Sequence, residues 1–261
     1  MNTVKYAFFD IDNTLTDNST GTVPDSLIKA LKRLEKNGYR LSISTGRDFE
    51  SIPEVVKEIY PWFSYITYNG QLIYNQNKEL LRELYIPDNV VDRVFRIADM
   101  TDTTIEIKSK RDIYRYNEIT PFYLKAYEFF NMEPKAKGEY QVNDKVIAFL
   151  ASRDPENTYK EFAELPELEV FPTRYCYADI NLKGMNKYEG IRFLQDYYGF
   201  RDYIAFGDSM NDWEMLKNAQ VSVAMGDAEQ KLKDICTLVT DTAGNDGIYK
   251  AVMSLVEDNK T

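Results

Sequence analysis

The 261-residue sequence contains no histidine. Without an imidazole the chain cannot carry out Ser-His-Asp or Cys-His catalysis, build a histidine zinc site or pass through a phosphohistidine. Any acid/base chemistry near neutral pH must therefore use carboxylates, lysine, tyrosine or a metal-bound water.

Cysteine and long apolar runs are also scarce. The two cysteines, Cys176 and Cys236, lie far apart and lack a metal-ligand spacing, which argues against a disulfide framework or a zinc ribbon and favours a reducing compartment. No segment approaches the roughly 20 apolar residues that a membrane helix needs, and the N-terminus has no signal-peptide pattern. We therefore predict a cytoplasmic protein that does not bind a membrane.

Positive charge is in deficit, since 32 Lys and Arg stand against 42 Asp and Glu and leave a net charge of -10. Nucleic acids and anionic membranes bind proteins through basic surfaces, so neither is an expected partner. A small phosphorylated metabolite remains compatible with this composition, because one local cation can outweigh a distant surface charge. Nothing in the sequence indicates an oligomeric state.

Short apolar segments alternate with amphipathic ones at both ends of the chain. The run at residues 4–10 is typical of a strand buried on both faces of a parallel sheet. A helix is predicted to begin at residues 24–26, to end at Gly38 and to bury the stripe Leu27, Ile28, Leu31 and Leu34. Further strands are predicted at residues 40–44, 65–68, 203–206 and 221–224. Further helices are predicted at residues 49–59, 187–198, 212–218, 228–235 and 247–256.

The pattern changes in the middle of the chain. Helices are predicted at residues 88–100 and 121–131, and strands at residues 104–108, 112–116, 146–151, 169–171 and 175–181. Hairpin-like strands mixed with helices indicate an α+β module with an antiparallel sheet, whereas the β-α-β order of the flanks predicts a doubly wound, Rossmann-like parallel sheet. We therefore predict an α/β core, residues 1–82 and 183–261, interrupted by an inserted α+β cap, residues 83–182.

Two carboxylates follow the first predicted strand. Asp10 and Asp12 stand where the apolar strand gives way to a polar loop, and ligands of open parallel sheets bind beyond the carboxyl ends of the strands. Residues i and i+2 of a strand face the same side, unless the turn re-aims the second side chain. The alternative is that Asp12 and Asn13 only cap a turn, as these residue types often do. The pair alone favours that alternative.

Other predicted strand ends carry polar groups of the same kind. The second strand closes with Ser44-Thr45-Gly46-Arg47, which can point a hydroxyl and backbone N–H groups at a phosphate. The strand at 203–206 is followed by residues 207–212 (GDSMND), and Lys187 opens a predicted helix. Each feature has an ordinary alternative, a helix cap or a solvated lysine. Their convergence on one sheet edge favours a site.

These segments resemble the haloacid dehalogenase (HAD) superfamily, and more narrowly its Cof-like branch of sugar phosphatases with a type IIB cap. Residues 10–16 (DIDNTLT) match the first family motif, D-x-D-x-T-L. The T-G-R motif of the branch matches residues 44–47, the third-motif lysine matches Lys187, and G-D-x-x-N-D matches residues 207–212. The resemblance covers nearly the whole chain and implies a HAD-like fold.

The resemblance also implies a role for each matched residue. Asp10 would attack the phosphorus and become an aspartyl phosphate, while Asp12 would protonate the leaving alcohol and then activate water. The phosphoryl group would be bound by Thr45, Gly46, Lys187 and Asn211. Mg²⁺ would be held by Asp10, the main-chain carbonyl of Asp12 and Asp208, with Asp212 supporting the metal site. The metal and Lys187 would offset the repulsion between a carboxylate and a phosphate.

One position departs from the pattern of the branch. Residues 224–228 (AMGDA) resemble its A-M-G-N-A loop, with Asp227 in place of asparagine. A carboxylate beside a phosphate site would repel the substrate, unless it faces away or binds a sugar hydroxyl. We expect Asp227 to cap a helix that begins at Ala228, where negative charge is favourable.

The cap is expected to close over the sheet edge, exclude water and select the leaving group. Its candidate substrate contacts are Lys110 and Arg111, in a loop between two predicted strands, together with Tyr175, Tyr177 and Asp179. Tyrosines can hydrogen-bond hydroxyls or stack on a ring. Because the chain has 20 tyrosines, any one of them is a weak marker of a site.

Together these features predict a Mg²⁺-dependent phosphohydrolase for a small phosphomonoester. A sugar phosphate is the leading substrate class, with a cofactor phosphate such as pyridoxal phosphate or a flavin mononucleotide as the other. Two alternatives stay open: a sugar phosphomutase, and a non-catalytic regulatory protein that binds a phosphorylated ligand. Bisphosphate-dependent isomerisation would identify the first. Failure to release phosphate from a broad panel would favour the second.

Overall fold

A computed structural model describes residues 5–129, 133–154, 156, 158–172 and 176–256. The contacts between residues divide the chain into two units, which we name the core unit (Met1–Glu83 with Met185–Thr261) and the inserted unit (Leu84–Gly184). This division falls one or two residues from the boundaries that the sequence pattern predicts. In the described ranges, no helix has both the length and the apolar character that crossing a membrane requires.

Strands and helices alternate along much of the chain. The described strands are β1 (Lys5–Phe9), β2 (Tyr39–Ser44), β3 (Ser64–Thr67), β4 (Leu72–Asn75), β5 (Leu80–Glu83), β6 (Thr104–Ser109), β7 (Ile113–Arg115), β8 (Val146–Ser152), β9 (Leu168–Pro172), β10 (Tyr177–Leu182), β11 (Ile204–Gly207), β12 (Val221–Ala224) and β13 (Leu238–Val239). The described helices are α1 (Asp25–Lys36), α2 (Glu54–Ile59), α3 (Asp88–Met100), α4 (Pro121–Phe129), α5 (Lys160–Ala163), α6 (Lys187–Tyr198), α7 (Trp213–Lys217), α8 (Gln230–Ile235) and α9 (Gly247–Leu255). Short 3₁₀ turns lie at Tyr68–Gly70, Met210–Asp212 and Ala243–Asn245.

The core unit is built on one sheet with the strand order β13-β12-β11-β1-β2-β3-β4-β5. Pairing is parallel from β13 to β3, and β4 and β5 add an antiparallel edge. The chain leaves β1 toward β2 on one side and later returns to β11 on the other. β1 is therefore the topological switch point, and the crevice beyond its carboxyl end is where open α/β sheets bind ligands.

Helices cover both faces of this sheet. Successive side chains of a strand point to opposite faces, so Ala7 and Phe9 of β1 join one apolar cluster with α1 and α9. Tyr6 and Phe8 join a second apolar cluster with α6 and α7. The predicted burial of β1 on both faces and the mostly parallel, doubly wound α/β fold are confirmed.

The inserted unit is an antiparallel sheet with the strand order β7-β6-β8-β10-β9. On one face, Ile105 of β6 and Phe149 of β8 pack with Val94 of α3 and Phe162 of α5 in a single apolar cluster. This arrangement is the α+β architecture that the mixed hairpin and helix pattern predicts.

The other face of that sheet carries polar and charged side chains next to Ala148 and Leu150 of β8. Strand alternation places Glu106 and Lys108 of β6 on this face, opposite the apolar Ile105 and Ile107. The carboxylate of Glu106 is buried and accepts hydrogen bonds from the phenols of Tyr123, at 3.0 Å, and Tyr127. These bonds satisfy a buried carboxylate, which is costly to leave unpaired, and they join α4 to the sheet.

The second helix begins later than its apolar pattern predicts. The prediction placed its start at Phe49, but α2 begins at Glu54, with Pro53 at the N-cap position. Asp48, directly before the predicted start, accepts hydrogen bonds from the backbone N–H (2.8 Å) and the hydroxyl (2.5 Å) of Ser51. Such local side-chain bonds compete with helix formation, so residues 47–53 form a loop.

Several smaller elements were not predicted. The hairpin of β4 and β5 turns through Asn75, whose side chain accepts the N–H groups of Asn77 and Glu79, and β13 and α5 are only two and four residues long. The helix expected at 121–131 is described to Phe129, and its last two predicted positions lie outside the described residues. The strand expected at 175–181 begins at Tyr177, because Cys176 lies in a bend with a left-handed backbone, φ 62°, and Tyr175 lies outside the described residues. Short elements lack enough residues to show a period.

The stripe predicted for α1 contains one residue that the fold does not bury. Leu31 is fully buried, whereas Ile28 is 40% exposed. We predict that Leu31→Ala lowers the free energy of unfolding by about 2–5 kcal/mol, and that the control Ile28→Ala lowers it by less than about 1 kcal/mol. Urea unfolding followed by tryptophan fluorescence tests this, because both tryptophans, Trp62 and Trp213, belong to the core unit. Equal losses for the two variants would contradict the packing described for α1.

Candidate active site

Polar residues follow several strands at the carboxyl edge of the core sheet. Asp10 directly follows β1, and its backbone N–H still donates to the carbonyl of Phe206 on β11 at 3.0 Å. Thr45 directly follows β2, and its N–H donates to the carbonyl of Ile66 on β3 at 2.9 Å. Asp208 directly follows β11. Sheet pairing therefore fixes the backbones of Asp10 and Thr45, and Asp208 follows the last paired residue of β11, Gly207.

Lys187 is fully buried at the first position of α6. The helix starts there because the side chain of Asn186 caps it, accepting the backbone N–H of Glu189 at 3.0 Å. The Lys187 Nζ donates to Asp10 Oδ1 at 2.5 Å and to Asp212 Oδ1 at 2.6 Å. A single ammonium thus joins two carboxylates from opposite ends of the chain.

Two glycines let the start of α6 lie close to the turn after β3. A Cβ on Gly70 would stand 2.6 Å from the carbonyl oxygen of Asn186, and a Cβ on Gly190 would stand 2.5 Å from Ile66 Cγ2. Real Cβ atoms do not approach other atoms so closely, so side chains at these positions would push the helix away. The close approach fixes the position of Lys187.

The carboxylate of Asp212 is buried, and both of its oxygens are bonded. Oδ1 accepts from Lys187, while Oδ2 accepts the backbone N–H groups of Asp208 at 3.0 Å and Ser209 at 3.1 Å. A Cβ on Gly207 would lie 2.5 Å from the Asp212 Cγ, so glycine is needed there. Asp212 therefore orients both Lys187 and the loop that carries Asp208.

Three carboxylates lie close together at this edge. Ligand oxygens of Asp10, Asp208 and Asp212 lie within 4.8 Å of one another, and Asp208 also accepts from the side chain of Asn13 at 3.3 Å. Burial raises the pKa of Asp10 well above its usual value, and the charge of Asp212 adds to that rise while Lys187 opposes it. Burial and the same neighbour raise the pKa of Asp208 to about 6. The cluster holds more negative charge than its one ammonium neutralises.

Burial acts in the opposite sense on the pKa of Lys187. Burial lowers its pKa, but the charges of Asp10 and Asp212 outweigh burial and raise the pKa above its ordinary value. Lys187 is therefore a permanent cation at this site, and buried charges of this kind are stable only when they are paired.

Asp12 contacts a different cation from Asp10. The carbonyl of the buried Ile11 accepts the N–H groups of residues 14–16, so the chain turns sharply after Asp10. The Asp12 carboxylate receives two hydrogen bonds from Arg47, Nε to Oδ2 at 2.8 Å and Nη2 to Oδ1 at 2.7 Å. The turn thus separates the two carboxylates, and the expected metal contact through the Asp12 carbonyl stays a prediction.

The predicted phosphate loop packs against the ends of two other strands. The hydroxyl of Thr45 accepts the backbone N–H of Arg47 at 3.1 Å and keeps its own proton as a donor. A Cβ on Gly46 would stand 3.3 Å from Asn69 Oδ1 and 3.7 Å from Asn211 Nδ2. Thr45, Gly46 and Asn211 therefore lie together, as a shared phosphate contact requires.

Asn69 belongs to this group and was not predicted from the sequence as a site residue. It adopts a left-handed backbone with φ 50°, directly after Tyr68 with φ 48°, and its side-chain oxygen accepts from Asn211 Nδ2 at 3.5 Å. Left-handed non-glycine residues cost on the order of 1–3 kcal/mol each and occur at functional sites. An Asn-Gly pair at a strand end was the available signal.

The expectation for Asp227 is wrong. It is exposed in a turn, α8 begins at Gln230 instead of Ala228, and Glu229 occupies the N-cap position. The charge of Asp227 also raises the pKa of Asp208, but less than burial and the charge of Asp212 do. Asp227 is therefore an exposed charge that does not cap a helix.

Lys110 and Arg111, predicted as substrate contacts in a loop of the inserted unit, contact other residues of that unit. Arg111 donates to the mostly buried carboxylate of Asp144 at 3.0 Å, and the phenol of Tyr114 donates to the same oxygen at 2.6 Å. The backbone N–H of Lys110 donates to the carbonyl of Lys145 at 3.1 Å. Arg111 thus stabilises the loop that carries it.

Two other predicted substrate contacts, Tyr177 and Asp179, lie on strand β10 of the inserted unit. Tyr177 and Asp179 alternate along β10 with the apolar Ala178, so they share its other face. The carboxylate of Asp179 lies 3.5 Å from the Nζ of Lys108. Lys108 was not predicted as a substrate contact. Tyr175 lies outside the described residues.

The fold and the site together define an α/β enzyme with a carboxylate-rich centre at its switch point. The chain belongs to the haloacid dehalogenase-like hydrolases, whose family model matches residues 7–252. The predicted membership of this superfamily, in its Cof-like branch, is confirmed.

Individual relatives agree with this assignment. The chain is similar to BT1666 from Bacteroides thetaiotaomicron, a HAD phosphatase, with a TM-score of 0.87 and 26% identity over 96% of this chain and 94% of that one. The HAD subclass IIB sugar phosphatase BT4131 has a TM-score of 0.79 and 26% identity over 96% and 98%. The 5-amino-6-(5-phospho-D-ribitylamino)uracil phosphatase YcsE of Bacillus subtilis is 25% identical over 95% and 94%. The predicted class, a phosphoric monoester hydrolase, is confirmed.

The buried lysine generates a prediction about stability. Lys187→Met leaves Asp10 and Asp212 without their cation, and breaking a buried ion pair costs about 3–5 kcal/mol. We expect that loss in the free energy of unfolding, measured with urea and tryptophan fluorescence. The exposed Lys217, replaced by Met in the same unit, is the control and should change stability by no more than about 0.5 kcal/mol. A Lys187→Met protein as stable as the control would contradict the described pairing.

Proposed function

We propose that this protein is a Mg²⁺-dependent phosphomonoesterase that forms an aspartyl phosphate on Asp10. The proposal is carried by one observation, the contact between Lys187 Nζ and Asp10 Oδ1 inside an acidic cluster at the switch point of the sheet. A carboxylate that attacks a phosphate dianion meets strong repulsion, and a buried ammonium beside it offsets that repulsion.

The geometry of Asp10 suits a nucleophile. Lys187 binds Oδ1, and the contacts described for the side chain leave Oδ2 for bond formation. In the first step Oδ2 forms a bond to phosphorus while the bond from phosphorus to the leaving oxygen breaks. The proposed ligands of the phosphoryl oxygens are the ammonium of Lys187, the Thr45 hydroxyl, the Gly46 backbone and the Asn211 amide.

The donor set fits Mg²⁺, which prefers hard oxygen ligands. After Lys187 neutralises one of the three carboxylates, two negative charges remain, and a dication would neutralise them. Asp10 and Asp208 would hold the ion together with the main-chain carbonyl of Asp12. Asp212 has both oxygens bonded within the protein and so would support the site instead of binding the metal directly. When bound, the ion supplies positive charge to the phosphate oxygens.

Asp12 is the proposed acid/base. In the first step it gives its proton to the leaving alkoxide, which departs as an alcohol. In the second step it takes a proton from the attacking water, a bond forms between that oxygen and phosphorus, and the bond from phosphorus to Asp10 breaks to release phosphate. One residue serves both halves because the two steps move a proton in opposite directions.

The names of two similar proteins support a proposed substrate class. YcsE is named for a phosphate on a ribityl chain, and BT4131 is a sugar phosphatase. Both names describe phosphomonoesters of a polyhydroxylated carbon chain, and we propose that this protein hydrolyses such an ester. We further propose that the inserted unit is the cap, with the polar sheet face of Lys108, Tyr177 and Asp179 suited to hydroxyl groups.

A phosphate-release panel with Mg²⁺ tests the proposal. Sugar phosphates, sugar-alcohol phosphates, flavin mononucleotide and pyridoxal phosphate are the substrates, and we expect the highest kcat/KM among the polyhydroxylated esters. Asp10→Asn should abolish release from every substrate, because a neutral amide cannot form the acyl phosphate, while circular dichroism shows a retained fold. Asn69→Asp adds a carboxylate at the same sheet edge. Its rate of phosphate release shows how strongly a change of charge at that edge affects the reaction.

Two results would contradict this reaction. Near-wild-type activity of Asp10→Asn would remove Asp10 as the nucleophile. No release from any substrate by the wild-type protein would favour the non-catalytic alternative.

A magnesium titration tests the metal site. Asp208→Asn should raise the Mg²⁺ concentration for half-maximal phosphate release at least about 10-fold, since even changes outside the direct ligands act on that scale. Asp202→Asn, an exposed carboxylate in the loop before β11, is the matched control and should leave the titration unchanged. An Asp208→Asn protein with the wild-type titration would exclude Asp208 from the metal site.

A further inference from the structure

The guanidinium of Arg47 makes a paired contact with the proposed acid/base. Its Nε and Nη2 donate to the two different oxygens of Asp12, at 2.8 and 2.7 Å. A planar fork matched to a carboxylate fixes orientation as well as charge, which a lysine cannot do. Asp12 is therefore held in one rotamer although it lies in a loop.

Arg47 is itself held at both ends. Its remaining terminal nitrogen, Nη1, donates to the carbonyl of Ser51 at 3.0 Å. Its backbone N–H donates to the Thr45 hydroxyl, and its carbonyl accepts the N–H of Tyr68 at 3.0 Å. Ser51 is fixed in turn by Asp48, in the loop that delays the start of α2. This chain of bonds connects the rotamer of Asp12 to the ends of β2 and β3.

Stability alone does not account for such an arrangement. The Arg47 and Asp12 side chains are 38% and 34% exposed, and exposed ion pairs contribute about 0–1 kcal/mol. The fork occupies one lone pair on each carboxylate oxygen and leaves the others for a proton. The pair thus fixes the orientation of both carboxylate oxygens and leaves a lone pair on each of them.

We propose that Arg47 is a positioning residue for Asp12, an inference that rests on the proposed function. Arg47 contributes to turnover by fixing the carboxylate that protonates the leaving group and then deprotonates water. It is not itself a ligand of the phosphoryl group. The T-G-R segment then has two separate tasks: Thr45 and Gly46 bind phosphate, and Arg47 orients the acid/base.

A double-mutant cycle tests this role, because two residues that act through one step do not have additive effects. Arg47→Ala should lower kcat about 100-fold, the lower end of what acid/base catalysis contributes, and leave KM within about 2-fold of wild type. In the Asp12→Asn background the same substitution should cost less than about 2-fold. Steady-state phosphate release from glucose 6-phosphate and p-nitrophenyl phosphate provides both constants.

Two further variants keep the test independent of folding. Arg47→Lys retains the charge without the fork and should recover less than a tenth of the lost kcat. Arg201→Ala removes an exposed arginine whose carboxylate partner, Asp196, is also exposed, and should leave kcat unchanged. Thermal melting of each variant separates a catalytic loss from unfolding.

The outcomes separate this inference from the function on which it rests. Additive losses, or a rise in KM with little change in kcat, would overturn the positioning role while wild-type turnover still supported the proposed phosphatase. Full recovery by Arg47→Lys would also overturn it, since charge alone would then suffice. A wild-type protein that releases phosphate from neither probe nor from the wider panel would end both proposals.

Discussion

The buried contact of Lys187 with Asp10 and Asp212 is the interaction on which the rest of the site depends. Charges are costly to bury unless they are paired and hydrogen-bonded, so the surrounding backbone is arranged to bring three distant segments together. Gly207 leaves space for Asp212, and Gly70 and Gly190 let α6 approach β3. The need to pair one buried ammonium thus explains why glycine stands at these three positions of the chain.

The same arrangement divides the tasks of two carboxylates that are two residues apart. Asp10 is buried against a lysine, whereas Asp12, after a tight turn, is half-exposed against an arginine. Different cations give the two groups different chemistry in the proposed reaction, one as a nucleophile and the other as a proton carrier. Without the turn at Ile11, both side chains would follow the alternation of a strand and compete for one partner.

The sequence predicts elements whose signals are local. The bounds of α3, α6 and β12 match the prediction, because an apolar period and a cap such as Asn186 are written in consecutive residues. Residues at strand ends were also predictable, since parallel strands bring their carboxyl ends to one edge. The fork of Arg47 on Asp12, 35 residues away, the left-handed Asn69 and the late start of α2 depend on contacts between distant segments. Apolar periodicity along the sequence carries no information about those contacts.

Rapid quench can detect covalent transfer of the phosphoryl group to Asp10. The wild-type protein is mixed with Mg²⁺ and a ³²P-labelled phosphomonoester that it turns over, and is then quenched in acid within milliseconds, digested and mapped. We expect label on the peptide that contains Asp10, at up to one phosphoryl group per chain, and loss of that label in hydroxylamine. Unlabelled protein during active turnover, or label on another residue, would contradict covalent transfer to Asp10.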